Sequence, residues 1–341
     1  MILVTGGTGF VGSHLLFHLV NMGEKVRVLK RKSSNLNNVY KVFDYYKPGA
    51  SGLVSQIEWF ESDLSDYSSL VDAMQDIQFV YHVAALVSFN THDRLKMNIT
   101  NVTGTSNIVN AAIHQNVRKL CYMSSVAAFA HPDGSDPVNE DNMRQPGDKY
   151  SAYSSSKYKA ELEVWRGIAE GLDAVILNPS VIMGYYSWSN GSSNFFPLVN
   201  RGMNYYPSGS TGFVDVKDVV NIMIRLMHSN ISGERFCINS ENLSYRDLLI
   251  LVSKSLCKKE PSRRLSPFFL KSFAHAQSLM ALMTNLVPLV TIDTARSAFN
   301  NCMYSNKKIK NLLNYEFIPL SQTVKELGSL FLKESNLILN Q

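Results

Sequence analysis

The sequence predicts an α/β protein, a doubly wound parallel sheet followed by a smaller, mostly helical region. Three observations carry that expectation. Apolar runs of strand length alternate with helix-length patterns through the first half of the 341 residues, as parallel sheets require. Glycines at 6, 9 and 12 stand at the first strand-to-helix junction. After Asn178 the texture shifts to an uncharged stretch (181–200) rich in Ser, Asn, Gly and aromatics, and beyond Pro261 to mainly helical patterning.

The elements follow in order. Residues 2–5 are an apolar run stopped by glycines, and 14–21 read as a helix ended near Gly23. Strands are expected at 25–29, 57–61, 79–83, 120–124 and 174–177, with helices around 70–74, 101–114 and 153–169. The stretch 33–52 is a long, tyrosine-bearing insert, read as a loop of the kind that is often functional or mobile. Residues 213–228 combine a strand end with a helix, 234–238 form a strand and 245–255 a helix. The expected division is 1–177, joined by about 211–232, against 178–210 and 233–341.

Composition narrows the class. With 45% hydrophobic and 18% charged residues the chain is neither disordered nor collagenous. Net charge is +5 from 33 basic and 28 acidic residues, dispersed, which speaks against nucleic-acid binding. Cys121, Cys237, Cys257 and Cys302 form no CxxC pair, so a reduced, cytoplasmic compartment fits best. Residues 272–292 lack Asp, Glu, Lys and Arg but hold His275, Gln277, Asn285 and Pro288. They read as a buried or lid helix, with membrane contact the minority reading.

Thr5-Gly6-Gly7-Thr8-Gly9-Phe10-Val11-Gly12 opens the first helix. Gly6 permits a tight turn, Gly9 lets backbone approach a pyrophosphate, and Gly12 lets helix and strand pack closely. The helix N-terminus then offers free N–H groups to phosphates. The second strand ends in Lys30-Arg31-Lys32, with no acid. A carboxylate there would favour NAD; basic residues accept the 2′-phosphate of NADP, so NADP is expected.

Tyr153 and Lys157 lie one helical turn apart on one face, at the carboxyl edge of the sheet. An ammonium and an oxidised nicotinamide would lower the phenol pKa, letting Tyr153 exchange a proton as hydride moves. Ser125, at the end of the fifth strand, could steady a substrate oxygen.

Together these residues resemble the extended short-chain dehydrogenase/reductase family, and within it Val26-Arg27-Val28-Leu29-Lys30-Arg31 resembles the NADP-using dihydroflavonol reductase and 3β-hydroxysteroid dehydrogenase branch. Thr5–Gly12 looks like its TGxxGxxG loop. Asp63-Leu64 looks like its adenine-contacting pair, and His82-Val83-Ala84-Ala85 like the strand end beneath the cofactor. Asn101-Val102-Thr103-Gly104-Thr105 is similar to the NVxGT helix, whose Asn101 supports the active-site hydrogen bonds. Ser125, Tyr153 and Lys157 match the catalytic triad, Asn178-Pro179-Ser180 the nicotinamide segment, and 213–218 the FVDVxDV motif. The resemblance implies a Rossmann-type fold, pro-S hydride transfer and a homodimer through the Asn101 and Tyr153 helices. Epimerases of the family commonly carry an acid where Lys30 stands, and RxxxxYG where this chain reads Asn178 to Gly184. Both departures weaken an epimerase reading.

Three functions compete: an NADP-dependent oxidoreductase of a fairly apolar small molecule, a sugar-nucleotide epimerase or dehydratase, and a non-catalytic nucleotide sensor. His14 and His18 have metal-ligand spacing but no third ligand, so no metal is expected. The aromatics Tyr185, Tyr186, Trp188, Phe195, Phe196, Tyr205 and Tyr206 either pack a core or line an apolar pocket. The sequence leaves the two readings even; because their stretch follows the nicotinamide segment, Tyr185, Tyr186, Trp188, Phe195 and Phe196 could provide the walls of such a pocket.

Overall fold

Seven parallel strands, in the order β3-β2-β1-β4-β5-β6-β10, divide the molecule into two faces. They are β1 (Ile2–Thr5), β2 (Val26–Lys30), β3 (Glu58–Glu61), β4 (Phe79–His82), β5 (Lys119–Met123), β6 (Ala174–Pro179) and β10 (Glu234–Ile238). The computed structural model describes every residue except 89, 132–135, 146–149, 190, 269, 271–296 and 340–341.

Strand side chains alternate between the faces, and both faces are buried. Ile2, Val4, Val26, Val28, Cys121 and Leu177 pack beneath α1 (Phe10–Asn21), α2 (Asn37–Tyr46) and α8 (Val216–Met227). Leu3, Leu29, Val80, Leu120, Tyr122 and Ile176 pack beneath α3 (Tyr67–Ala73), α5 (Gly104–His114) and α6 (Ala152–Ala169). The chain leaves β1 for β2 on one side and returns through β4 on the other. A crevice therefore opens at the carboxyl ends of β1 and β4.

A smaller body is built on a three-stranded sheet of β7 (Val181–Met183), β9 (Ser210–Asp215) and β11 (Glu241–Ser244). The two-residue strands β8 (Tyr205–Tyr206) and β12 (Arg263–Arg264) pair beside it. Its core joins α7 (Phe195–Asn200), α9 (Tyr245–Ser255) and α11 (Leu320–Leu339) around Phe196, Leu248, Val252, Val324 and Phe331.

Two expectations are corrected. Residues 234–238 do not belong with the smaller body: β10 pairs with β6 at the edge of the main sheet. The following α10 (Lys307–Leu313) also sends Ile309 into the main core. The insert 33–52 is not a loop. Val39, Val42, Phe43 and Tyr46 recur at helical spacing on α2. Val39 and Phe43 enter the main core and Val42 the smaller one, so α2 joins them. The 272–292 segment lies outside the described residues. Among the described residues, no helix is long and apolar enough to cross a membrane.

Candidate active site

The crevice is a cleft of about 1430 Å³. Its floor is the glycine turn. Gly6 adopts φ +70°, and a Cβ there would lie 2.6 Å from the Ala84 backbone. A Cβ on Gly12 would stand 2.1 Å from the Gly6 carbonyl oxygen. The Gly9 N–H donates to that same oxygen at 2.9 Å. Helix α1 begins after Gly9 with no side-chain cap and no acid in its first turn. The amides of Phe10, Val11 and Gly12 thus lack intrahelical acceptors and are available to an anion. Tyr186 donates its hydroxyl to the Thr8 carbonyl at 2.8 Å, bracing the turn from outside.

At the β2 end of the cleft, Arg31 lines the wall with Asp63 and Leu64. An adjoining hollow is lined by Arg31, Lys32, Ser33, Ser62 and Asp63. Hydrogen bonds from the Ser65 hydroxyl and amide hold the Asp63 carboxyl below its ordinary pKa, and Arg31 adds to that. Lys30 lines neither space.

Beneath Ala84 and Ala85 runs a fully assigned chain of hydrogen bonds. The Ala84 N–H donates to Thr5 Oγ1 at 3.1 Å, and the Thr5 hydroxyl to His82 Nδ1 at 2.7 Å. His82 Nε2–H donates to Thr105 Oγ1 at 2.9 Å, and the Thr105 hydroxyl to the Asn101 carbonyl at 2.6 Å. Each hydroxyl proton is committed, so His82 is neutral with its proton on Nε2; burial pushes its pKa down to about 3. Asn101 sits on a π-helical turn (Asn98–Thr103) that continues α4 (Arg94–Met97) into α5. Its amide Nδ2 donates to the Leu86 carbonyl and to Ser156 Oγ, both at 2.9 Å, and Oδ1 accepts the Leu86 N–H. Asn101 is buried behind the cleft and pins its wall to α6.

Ser151 caps α6 by accepting the Ser154 N–H at 3.1 Å. The next turn presents Tyr153 and Lys157 to the cleft, opposite Ser125. Lys157 Nζ donates to the Met123 carbonyl at 2.8 Å and lies 5.3 Å from the centre of the Tyr122 ring. Burial pushes the Lys157 pKa down to about 8, while Glu161 pulls it back up. Burial also raises the Tyr153 phenol, and a hydrogen bond from Ser125 only partly offsets this. The expectation of a depressed phenol is therefore reversed for the protein by itself: burial outweighs the polar neighbours. Pro179 and Ser180 line the cleft, but Asn178 does not. It lies behind, its Nδ2 on the Ser125 carbonyl at 3.0 Å and on Glu161 at 2.7 Å.

The far wall differs from the expected one. Tyr185, Trp188, Phe195 and Phe196 pack in the smaller core. Tyr185 and Trp188 both donate to the Glu334 carboxylate of α11, and the Trp188 ring meets Phe331 at 5.1 Å. Tyr206 packs against the same core and Tyr205 is exposed. The wall instead holds Val181, Ile182, Thr211, Tyr245, Tyr304 and His131. Tyr245, Tyr304 and His131 carry no sequence motif; only the return of the chain brings them here. Arg31 is the only arginine among the described cleft residues. Arg235 is paired with Glu161 and Arg246 lies over Tyr206. Both nitrogens of His14 are engaged, Nε2–H by the Tyr185 carbonyl and Nδ1 by the Tyr46 hydroxyl.

Comparison with known proteins agrees with this geometry. The NAD dependent epimerase/dehydratase family matches residues 2–238. A provisionally named dihydroflavonol 4-reductase of Synechocystis sp. is 30% identical over 312 residues, 89% of this chain and 87% of that protein. Cinnamoyl-CoA reductase 1 of Petunia hybrida is 25% identical over 336 residues, 96% of this chain and 90% of that one. The crystal structure of gox2253 superposes with a TM-score of 0.81 at 28% identity, covering 98% of both chains.

Proposed function

From the premise that this chain belongs to the NAD dependent epimerase/dehydratase family, as an NAD(P)-dependent oxidoreductase of the extended short-chain type, we propose that it is an NADP-dependent reductase of a neutral, fairly apolar carbonyl compound. The observation that carries this is the meeting of Ser125, Tyr153 and Lys157 beneath a far wall into which, among the described residues, no arginine enters; Lys96 also lines the cleft, but its side chain is 77% exposed and not fixed there. A sugar diphosphate wants fixed cations around two anionic groups. The wall of Val181, Ile182, Tyr245 and Tyr304 suits a flat apolar body.

The glycine turn fits a dinucleotide, since the close approaches at Gly6 and Gly12 leave a bare backbone cradle at a helix N-terminus. The amides of Phe10, Val11 and Gly12 would hold the pyrophosphate, Asp63 and Leu64 the adenine end, and Ala84, Ala85, Pro179 and Ser180 the inner half. When bound, the cofactor supplies the hydride. Tyr153 gives its phenolic proton to the carbonyl oxygen that Ser125 holds in place. A phenol kept protonated by burial is suited to donating in the reductive direction. Lys157 contributes its charge below about pH 8 and loses it above. A homodimer is supported by the exposed Leu95, Ile99 and Leu162 on α4, the π-turn and α6.

The test is a thermal-shift and turnover screen with NADPH, NADH, aromatic or alicyclic ketones and UDP- or GDP-sugars. NADPH oxidation with ketones, and none coupled to sugar nucleotides, is expected. Stabilisation and interconversion of a UDP-sugar would overturn the reading. Arg31→Glu sets an anion against the 2′-phosphate. It should weaken NADPH at least about tenfold while changing NADH far less. Equal NADPH affinity in both proteins, by fluorescence titration, would remove Arg31 from the site.

A further inference from the structure

Behind the Ser125, Tyr153 and Lys157 set lies a carboxylate with no part in the reaction above. Glu161 stands one helical turn beyond Lys157 on α6 and is 1% exposed. Its Oε1 accepts from Arg235 Nη1 at 2.9 Å and Trp165 Nε1 at 3.4 Å. Its Oε2 accepts from the Ser124 hydroxyl at 2.6 Å and Asn178 Nδ2 at 2.7 Å. Four donors, from α6, β6, β10 and the residue that follows β5, thus fix the carboxylate between the strand ends that carry Ser125 and Pro179. Arg235 is also buried, and its remaining nitrogens bond the Glu140 carbonyl.

A buried ion pair is weak evidence for stability, because apolar residues of similar volume often serve as well. Its neighbour gives this pair a different meaning. Lys157 is buried at the sheet edge, where an ammonium is costly. The groups facing it are few. Tyr122 of β5 presents its ring, and burial holds that phenol far above its usual range. His82 of β4 is neutral. Tyr153 lies on the same helix, one turn back, with its phenol raised. Glu161 is the anion of this set, with Arg235 of β10 behind it.

We propose that Glu161 is a positioning residue that keeps Lys157 an ammonium, and that Arg235 sets how much of the Glu161 charge Lys157 feels. The inference rests on the reading of Lys157 as part of the reductase centre. Its test needs neither substrate nor cofactor, so failure of carbonyl reduction and failure of this proposal are separable.

The experiment is an NMR titration of lysine side chains in the full chain labelled at lysine Cε, with Lys157 assigned through Lys157→Met. Glu161→Gln should lower the Lys157 midpoint by about one pH unit or more. Arg235→Met leaves the carboxylate unscreened and should raise it. A purely structural role would not move the midpoint in opposite directions. Either variant leaves one buried ion alone and can fail to fold. The double variant Glu161→Gln with Arg235→Met leaves no lone ion, and its midpoint should also fall. A folded double variant, judged by a cooperative melt, with a midpoint within about 0.2 units of the wild type would overturn the proposal.

Discussion

Tyr153→Phe is expected to reduce turnover at least about 100-fold, equivalent to about 2.7 kcal/mol of barrier, with NADPH affinity nearly unchanged. The variant keeps the ring, which is half-buried on the first turn of α6. It removes only the hydroxyl that Ser125 meets and that burial keeps protonated. Lys157 keeps its bond to the Met123 carbonyl, since that contact does not pass through the phenol. The check is steady-state kinetics on whichever ketone the screen identifies, with NADPH titrated by fluorescence. Wild-type turnover in a folded Tyr153→Phe protein would show that the proton comes from elsewhere.

Gly12→Ala should abolish measurable NADPH binding and lower stability by about 1–3 kcal/mol. The added methyl would stand 2.1 Å from the Gly6 oxygen and 2.7 Å from the Gly7 Cα, both backbone atoms that no rotamer change can move aside. Relief requires α1 to lift from β1, which carries the Phe10, Val11 and Gly12 amides away from any phosphate. Gly23→Ala is the control: a Cβ there meets nothing within 4 Å, although φ is +81°. That variant should lose some stability through its backbone alone and still bind NADPH. Denaturant melts and cofactor titrations of both proteins separate the effects. Undiminished NADPH binding by Gly12→Ala would mean that the turn yields without loss of the cradle.

The main sheet and the glycine turn were legible because their constraints are local. Strands buried on both faces read as apolar runs, and three glycines at a strand-to-helix junction have few other uses. The pairing of Tyr153 with Lys157 needs only helical spacing. What failed needed distant partners. The aromatics at 185–196 look like a pocket wall until α11 supplies Glu334 and Phe331 to receive them. Strand β10 could not be assigned to the main sheet from its own five residues, since its place beside β6 is a matter of topology. Glu161 follows Lys157 at plain helical spacing, yet nothing in α6 tells that Arg235 will face it. The helical rhythm of Val39, Val42, Phe43 and Tyr46 is local and lies in the sequence as well; only their division between two cores needs distant partners.

Helix α2 binds the two cores together, and that has a consequence for how the chain is made. Tyr45 donates its hydroxyl to Glu326, 281 positions later, and Lys217 holds the same carboxylate at 2.7 Å. Val42 belongs to a cluster that the same late helix completes with Val324 and Leu327. A ribosome extends the chain at roughly 5–20 residues per second, and N-terminal units ordinarily close first. Here the glycine turn and its sheet can assemble early and Tyr185 can then meet Tyr45, but the cover on the back of α2 is completed only when the final stretch emerges. Nascent chains therefore carry an incompletely covered helix face until then, and a premature stop before residue 320 would remove Val324, Glu326 and Leu327 from its cover for good.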